Sequence, residues 1–144
     1  AGANLLMNIG PESQGKIPAF ESAALARVGD WIEIHGGREG VLYHGRPSSV
    51  VGEGDDFALQ IGDELYLFIT GLTATGNTMA HDSASRGPGP RTFSQVFGRY
   101  REAIWLDSGE SLAFEHALDD GLLMLNATQY PYGTNTVVRV ARLR

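Results

Sequence analysis

Carboxylates recur in close pairs along the chain, at Asp55-Asp56, Asp63-Glu64, Asp107 with Glu110, and Asp119-Asp120. Two carboxyl groups about 5 to 9.5 Å apart across a sugar, one of them with a raised pKa, are what glycoside hydrolysis needs. Such a pair requires a walled site, and every one of these falls at a predicted turn, which argues against catalysis. His81-Asp82-Ser83 holds the three residue types of a hydrolytic triad. Neighbours in sequence do not form that relay, which is assembled in space from separate elements, and no Gly-x-Ser-x-Gly elbow accompanies them. Histidines 35, 44, 81 and 116 show no i, i+2 or i, i+4 pairing, so there is no local metal-ligand spacing. His35 is expected as a helix-end cation, His116 in a strand, and His44 and His81 in loops. With no calcium loop and no phosphate-cradling glycine loop, the residues imply no catalytic set, no metal and no cofactor. Tyr130 and Tyr132 flank a turn proline and are the aromatics best placed to stack on a sugar ring, whereas Trp31 and Trp105 read as core.

The elements that would position these residues are bounded first by composition. A chain of 144 residues can bury roughly 70% of its unfolded surface, enough for a real core. Nineteen glycines and a hydrophobic share of 42% suit a turn-rich globular protein. The formal charge of -6, with Lys16 and ten scattered Arg, excludes a nucleic-acid partner that must be held by clustered cations. No apolar run is long enough to span a membrane and no leader pattern is present, so no membrane partner is expected. The absence of Cys fits an extracellular or periplasmic setting as well as a cytoplasmic one, and compartment stays open.

Hydrophobic patterning then divides the chain. An apolar run over 3–9, closed by Gly10-Pro11, predicts a buried strand of the kind found in parallel sheets. Phe20, Ala24, Leu25, Val28, Trp31 and Ile32 recur at helical spacing behind Pro18, which predicts a helix over 18–35 stopped by Gly36-Gly37. From Val41 the pattern changes to strand-like stretches at 41–43, 57–61, 65–70, 95–106, 111–116, 122–126 and 136–143. Gly62-Asp63, Ser108-Gly109, Asp119-Asp120-Gly121 and Pro131-Tyr132-Gly133 punctuate them as turns. Residues 71–91, rich in Gly, Thr, Ser, Ala and Pro, are expected as a long exposed loop. The fold class expected is mainly β: an antiparallel β-sandwich preceded by one strand and one amphipathic helix.

Three linked motifs sharpen this reading: Asn4-Leu5-Leu6-Met7-Asn8-Ile9-Gly10-Pro11, Gly15-Lys16-Ile17-Pro18, and Val28-Gly29-Asp30-Trp31-Ile32. They resemble a signature of the α-L-fucosidases, glycoside hydrolase family 29, in which a strand Asn-Leu-Leu-Leu-Asn-Ile-Gly-Pro leads through Gly-x-Ile-Pro into a helix bearing Ile-Gly-x-Trp-Leu. Val41-Leu42-Tyr43 with Gly45-Arg46-Pro47 is similar to the family's connection out of its barrel. More loosely, Glu64-Leu65-Tyr66-Leu67, Trp105-Leu106-Asp107-Ser108-Gly109 and Gly121-Leu122-Leu123 are similar to its later strands. The resemblance implies a (β/α)8-like catalytic barrel followed by a β-sandwich. Residues 1–40 would then be the end of the barrel (strand 3–9, helix 18–35), and 41–144 the C-terminal sandwich domain.

The same resemblance implies removal of terminal α-L-fucose with retention, by an Asp nucleophile and a Glu acid/base on barrel strands that would precede residue 1. No catalytic residue is therefore assigned here. Asn8, at the barrel face where active-site loops lie, joins Tyr130 and Tyr132 as a candidate substrate contact. The partners implied are a fucosylated glycan, reached through the parent enzyme, and the missing catalytic barrel. The chain alone is expected to be a non-catalytic structural segment; the alternative is a stand-alone carbohydrate-binding module. Leu5, Leu6, Phe20 and Trp31 on the orphaned strand-helix edge are expected to be exposed and to favour self-association.

Overall fold

The computed structural model describes residues 5–76, 86–134 and 136–144. Helix α1 (Ala19–Ile34) is followed by the short α2 (Val41–His44). Eight strands come after: β1 (Arg46–Gly52), β2 (Phe57–Ile61), β3 (Glu64–Ile69), β4 (Gly89–Ser94), β5 (Ala103–Trp105), β6 (Phe114–Ala117), β7 (Leu122–Ala127) and β8 (Arg139–Leu143). They form one sheet in the order β5-β8-β3-β2-β1-β4-β7-β6, with antiparallel pairing throughout.

The sheet folds over on itself at β1. Its first residues pair with β2, its last pair with β4, and the register shifts between Pro47 and Val51. An interrupted register bends a strand and raises its twist. That bend lets Leu65, Leu67 and Ile69 of β3 meet Phe93, Leu123 and Leu125 of the other half in one buried core. Near the open edges, Leu112 donates its N–H to the carbonyl of Ala103 at 2.8 Å, lacing the approach to β6 onto β5. The fold is thus the expected antiparallel β-sandwich, nearly closed.

Strand β3 is buried on both faces because successive side chains point to opposite sides. Its odd-numbered residues enter the inner core, while Tyr66 and Phe68 join Val41 and Val140 in a second cluster on the outside. Helix α1 covers that outer cluster through Trp31. No residue of α1 is itself fully buried, so the expected apolar stripe is mostly on view: Phe20 is 84% exposed. Trp31 departs from the exposed edge expected for it, being half-buried with its indole N–H donated to the carbonyl of Val138 at 2.8 Å.

Several expectations need correction. Of the strand predicted over 3–9, residues 3 and 4 lie outside the described residues, and 5–9 are exposed and have no ladder pairing. A strand takes its stability from a neighbour, and none runs beside this segment among the described residues. Residues 41–43 are the helix α2, bounded by Gly40 and Gly45, not a strand. Only 103–105 of the stretch 95–106 is a strand. The loop expected over 71–91 gives up its last residues to β4, and Leu72, Thr73 and Ala74 at its start are buried. Strand β1 was not foreseen at all, because Pro47-Ser48-Ser49 reads as a turn.

Candidate functional site

An open groove of about 550 Å³ lies between α1 and the outer face of the sheet. Phe57 and Phe68 stack across the β2–β3 pair with centroids 4.4 Å apart, and Trp31 adds a third ring 6.3 Å from Phe68. Val28, Leu42, Val137 and Val138 complete an almost wholly apolar wall, with Thr70 and Thr134 at its margin. Arg27 is the single ionisable residue lining it. Among the described residues its lining carries no carboxylate and no imidazole; it offers apolar area to another surface.

The carboxylates behave differently from what their turn positions suggest. Asp107 is half-buried with its side chain largely covered, and both of its oxygens are taken by Arg139, Nε at 2.9 Å and Nη2 at 2.8 Å. Arg139 also donates to the carbonyl of Gln129 at 2.7 Å and lies 4.1 Å above the ring of Trp105. The indole of Trp105 donates to Thr128 Oγ1 at 2.8 Å, so one buried guanidinium joins β5, β8 and the segment after β7. Asp56 is more fully enclosed. It accepts from Thr70 N and Oγ1 at 2.8 and 2.9 Å and sits 2.5 Å from Arg86 and 3.4 Å from Arg91. Both clusters hold loops to strands, and a carboxylate already matched in this way is not free to attack or protonate a sugar. Glu110 reaches only to 3.9 Å of Arg139.

His35 is not the helix-end cation expected. It is 3% exposed, and burial pushes its pKa below the ordinary 6.5, outweighing the hydrogen bond to Trp31 and the nearby charge of Asp107. His44 lies in α2 and pairs with Glu39 at 3.4 Å. His116 lies in β6 as expected and meets the carbonyl of Val96 at 2.8 Å. His81-Asp82-Ser83 falls outside the described residues. Among the described residues, no group of three or more His, Asp or Glu is placed to hold a metal ion.

The three candidate sugar contacts sit on different elements. Asn8 is exposed in the lead-in to α1. Tyr132 is 84% exposed, whereas Tyr130 is half-buried against the inner core and bridges Ala74. None of the three lines the groove. The groove residues Leu42, Phe57, Phe68 and Val137 were missed because strand alternation alone does not say what covers the outer face. Arg139 did leave a signal: a lone cation inside Val137-Val138-Arg139-Val140-Ala141 implies a buried counter-charge.

Comparison with known proteins gives the geometry a context. The sequence model of the family described as Alpha-L-fucosidase matches residues 1–37. No curated protein matches the chain. Alpha-L-fucosidase isoenzyme 1 from Paenibacillus thiaminolyticus superposes with a TM-score of 0.69 at 23% identity, over 97% of this chain and 30% of that one. The Thermotoga maritima alpha-fucosidase gives 0.65 at 15% identity, over 98% and 30%. This chain therefore spans about 30% of the length of these solved structures. The resemblance read from residues 4–32 is met in sequence over the first 37 residues and in fold over nearly the whole chain.

Proposed function

We propose that this chain is the C-terminal part of an α-L-fucosidase and serves it as scaffold. On this reading the whole enzyme hydrolyses terminal α-L-fucose from glycans with retention, and its nucleophile and acid/base reside in a barrel that precedes residue 1. Residues 1–40 are the end of that barrel and 41–144 the C-terminal domain. The supporting observation is one continuous chain in which a fucosidase-like first 37 residues run into a sandwich of the fucosidase fold.

The geometry of the described carboxylates agrees with a scaffold role, since Asp56 and Asp107 are spent on buried ion pairs. The apolar groove and the exposed residues Leu5, Leu6 and Phe20 supply the surface on which the catalytic barrel would rest. The test is the coding sequence directly upstream in the same reading frame. A (β/α)8-like barrel there supports the reading, and an unrelated domain or a start codon at this position removes it.

A second reading, a stand-alone carbohydrate-binding module, is favoured by the exposure of Tyr132 at its turn. Calorimetric titration of the 144-residue chain with fucosylated oligosaccharides tests it, and no heat at millimolar sugar would leave it unsupported.

A further inference from the structure

His35 closes helix α1, and it is more deeply buried than any residue of the helix itself. Its Nδ1 lies 2.7 Å from the carbonyl oxygen of Trp31. A carbonyl only accepts, so Nδ1 must carry the hydrogen and Nε2 is left as a bare lone pair. That Nε2 is buried and has no hydrogen-bond partner among the described residues. The ring also packs against Trp31, with centroids 4.1 Å apart and planes tilted by 35°. Trp31 is in turn the residue that ties α1 to the sheet, through Val138 and the outer cluster.

We propose that His35 is an acid-sensitive latch for helix α1: the neutral ring holds the end of the helix on the sheet, and uptake of a solvent proton at Nε2 releases it. A proton there creates an N–H and a full charge where no acceptor meets them, and such a charge is costly to bury. The charged groups that reach the ring are Asp107, on the turn after β5, and Arg139, on β8. They form a bidentate pair with each other, and their fields act on the imidazole in opposite directions. On the helix side, Glu33 lies over Gly37, and Glu39 is engaged with His44. Burial therefore decides the direction, and it holds the pKa of the docked ring below the ordinary 6.5. A group whose docked pKa is lowered contributes fully above its free pKa and loses that contribution as the pH falls below it. The docking of α1 is thus complete above pH 6.5 and weakens on acidification. This inference does not depend on the fucosidase reading.

The test is an NMR titration of the 144-residue chain from pH 8 to 5, following the ring nitrogens of His35, the indole N–H of Trp31 and hydrogen exchange of the α1 amides. The expected result is an Nδ1–H tautomer at neutral pH, with protonation below pH 6.5 moving the Trp31 indole signal at the same midpoint. Exchange in α1, corrected for its intrinsic pH dependence, should rise roughly tenfold over that range. His35→Phe, which keeps the ring but cannot titrate, should hold α1 exchange flat. The latch is overturned if the Trp31 signal stays fixed while His35 protonates, or if the ring shows no titration below 6.5. The same acid loosening in His35→Phe would also overturn it. Should that variant not fold, the shared midpoint of the two wild-type signals still decides the matter.

Discussion

Arg139 is 1% exposed at the start of β8, and its neighbours explain how it is tolerated. Asp107 answers it with two hydrogen bonds and Trp105 lies beneath it. Removing one member of a buried pair strands the other, so Arg139→Ala should cost about 3–5 kcal/mol in urea unfolding. Removing both charges, as in Arg139→Met with Asp107→Leu, should cost less than the single change. A single change within experimental error of wild type would show that the pair does not hold these strands. Tyr66 provides a second residue-scale check at the opposite end of the pH scale. Burial raises its pKa to about 12, helped by the hydrogen bond its hydroxyl donates to Glu64 at 2.6 Å. The folded state prefers the neutral phenol, so stability is complete below pH 10 and is lost as the pH rises from 10 towards 12. Tyr66→Phe should remove that alkaline loss, measured as denaturant midpoints across the range. At this scale the sequence was legible only in part. Arg139 was not singled out although valines flank it, and nothing near Asp107 marked it as a partner, because the two are far apart in sequence and meet only through β5–β8 pairing.

Among the elements, the β2–β3 hairpin followed directly from the residues: alternation in Phe57–Ile61, then Gly62-Asp63 as a two-residue turn with Ile61 opposite Glu64. Gly62 has φ 56°, with no atom within 4 Å of where a Cβ would stand. Gly62→Ala should therefore cost only the backbone strain, about 1 kcal/mol. Gly52 contrasts with it, since a Cβ there would lie 2.3 Å from the carbonyl oxygen of Asp56. Gly52→Ala should destabilise clearly more than Gly62→Ala in parallel thermal melts; equal costs would mean that the turn holding Asp56 is looser than described. Strands β1 and β4 were illegible because Pro47 and Pro90 with their Ser and Gly neighbours read as turns, while their pairing is fixed by distant strands. Helix α1 was legible from its period, but its docking was not. It hangs mainly on Trp31, so Trp31→Ala should lose about 2 kcal/mol. Far-UV circular dichroism should show helix lost while the β signal remains.

Taken whole, the molecule joins a well-packed sandwich to an edge that leaves much apolar surface uncovered. Leu5, Leu6 and Phe20 are each 84% exposed, and the groove beside α1 adds further apolar area. Such surface seeks burial, so the isolated chain should self-associate with rising concentration in sedimentation velocity. The triple change Leu5→Ser, Leu6→Ser, Phe20→Ser should shift it towards monomer. A monomer at every concentration would mean that the edge needs no partner. Family resemblance was legible in the first 32 residues because three short motifs in fixed order, running through a turn into α1, leave a compact signature. The sandwich carries little of it, since many sequences satisfy one alternating pattern. The role proposed for this segment is to support fucosidase chemistry without performing it. The most direct measurement is nitrophenol release from nitrophenyl α-L-fucoside by the 144-residue chain, side by side with the protein that includes its upstream reading frame. The account predicts no turnover by the chain and clear turnover by the longer protein. Hydrolysis by the chain alone, or none by the longer protein, would contradict it.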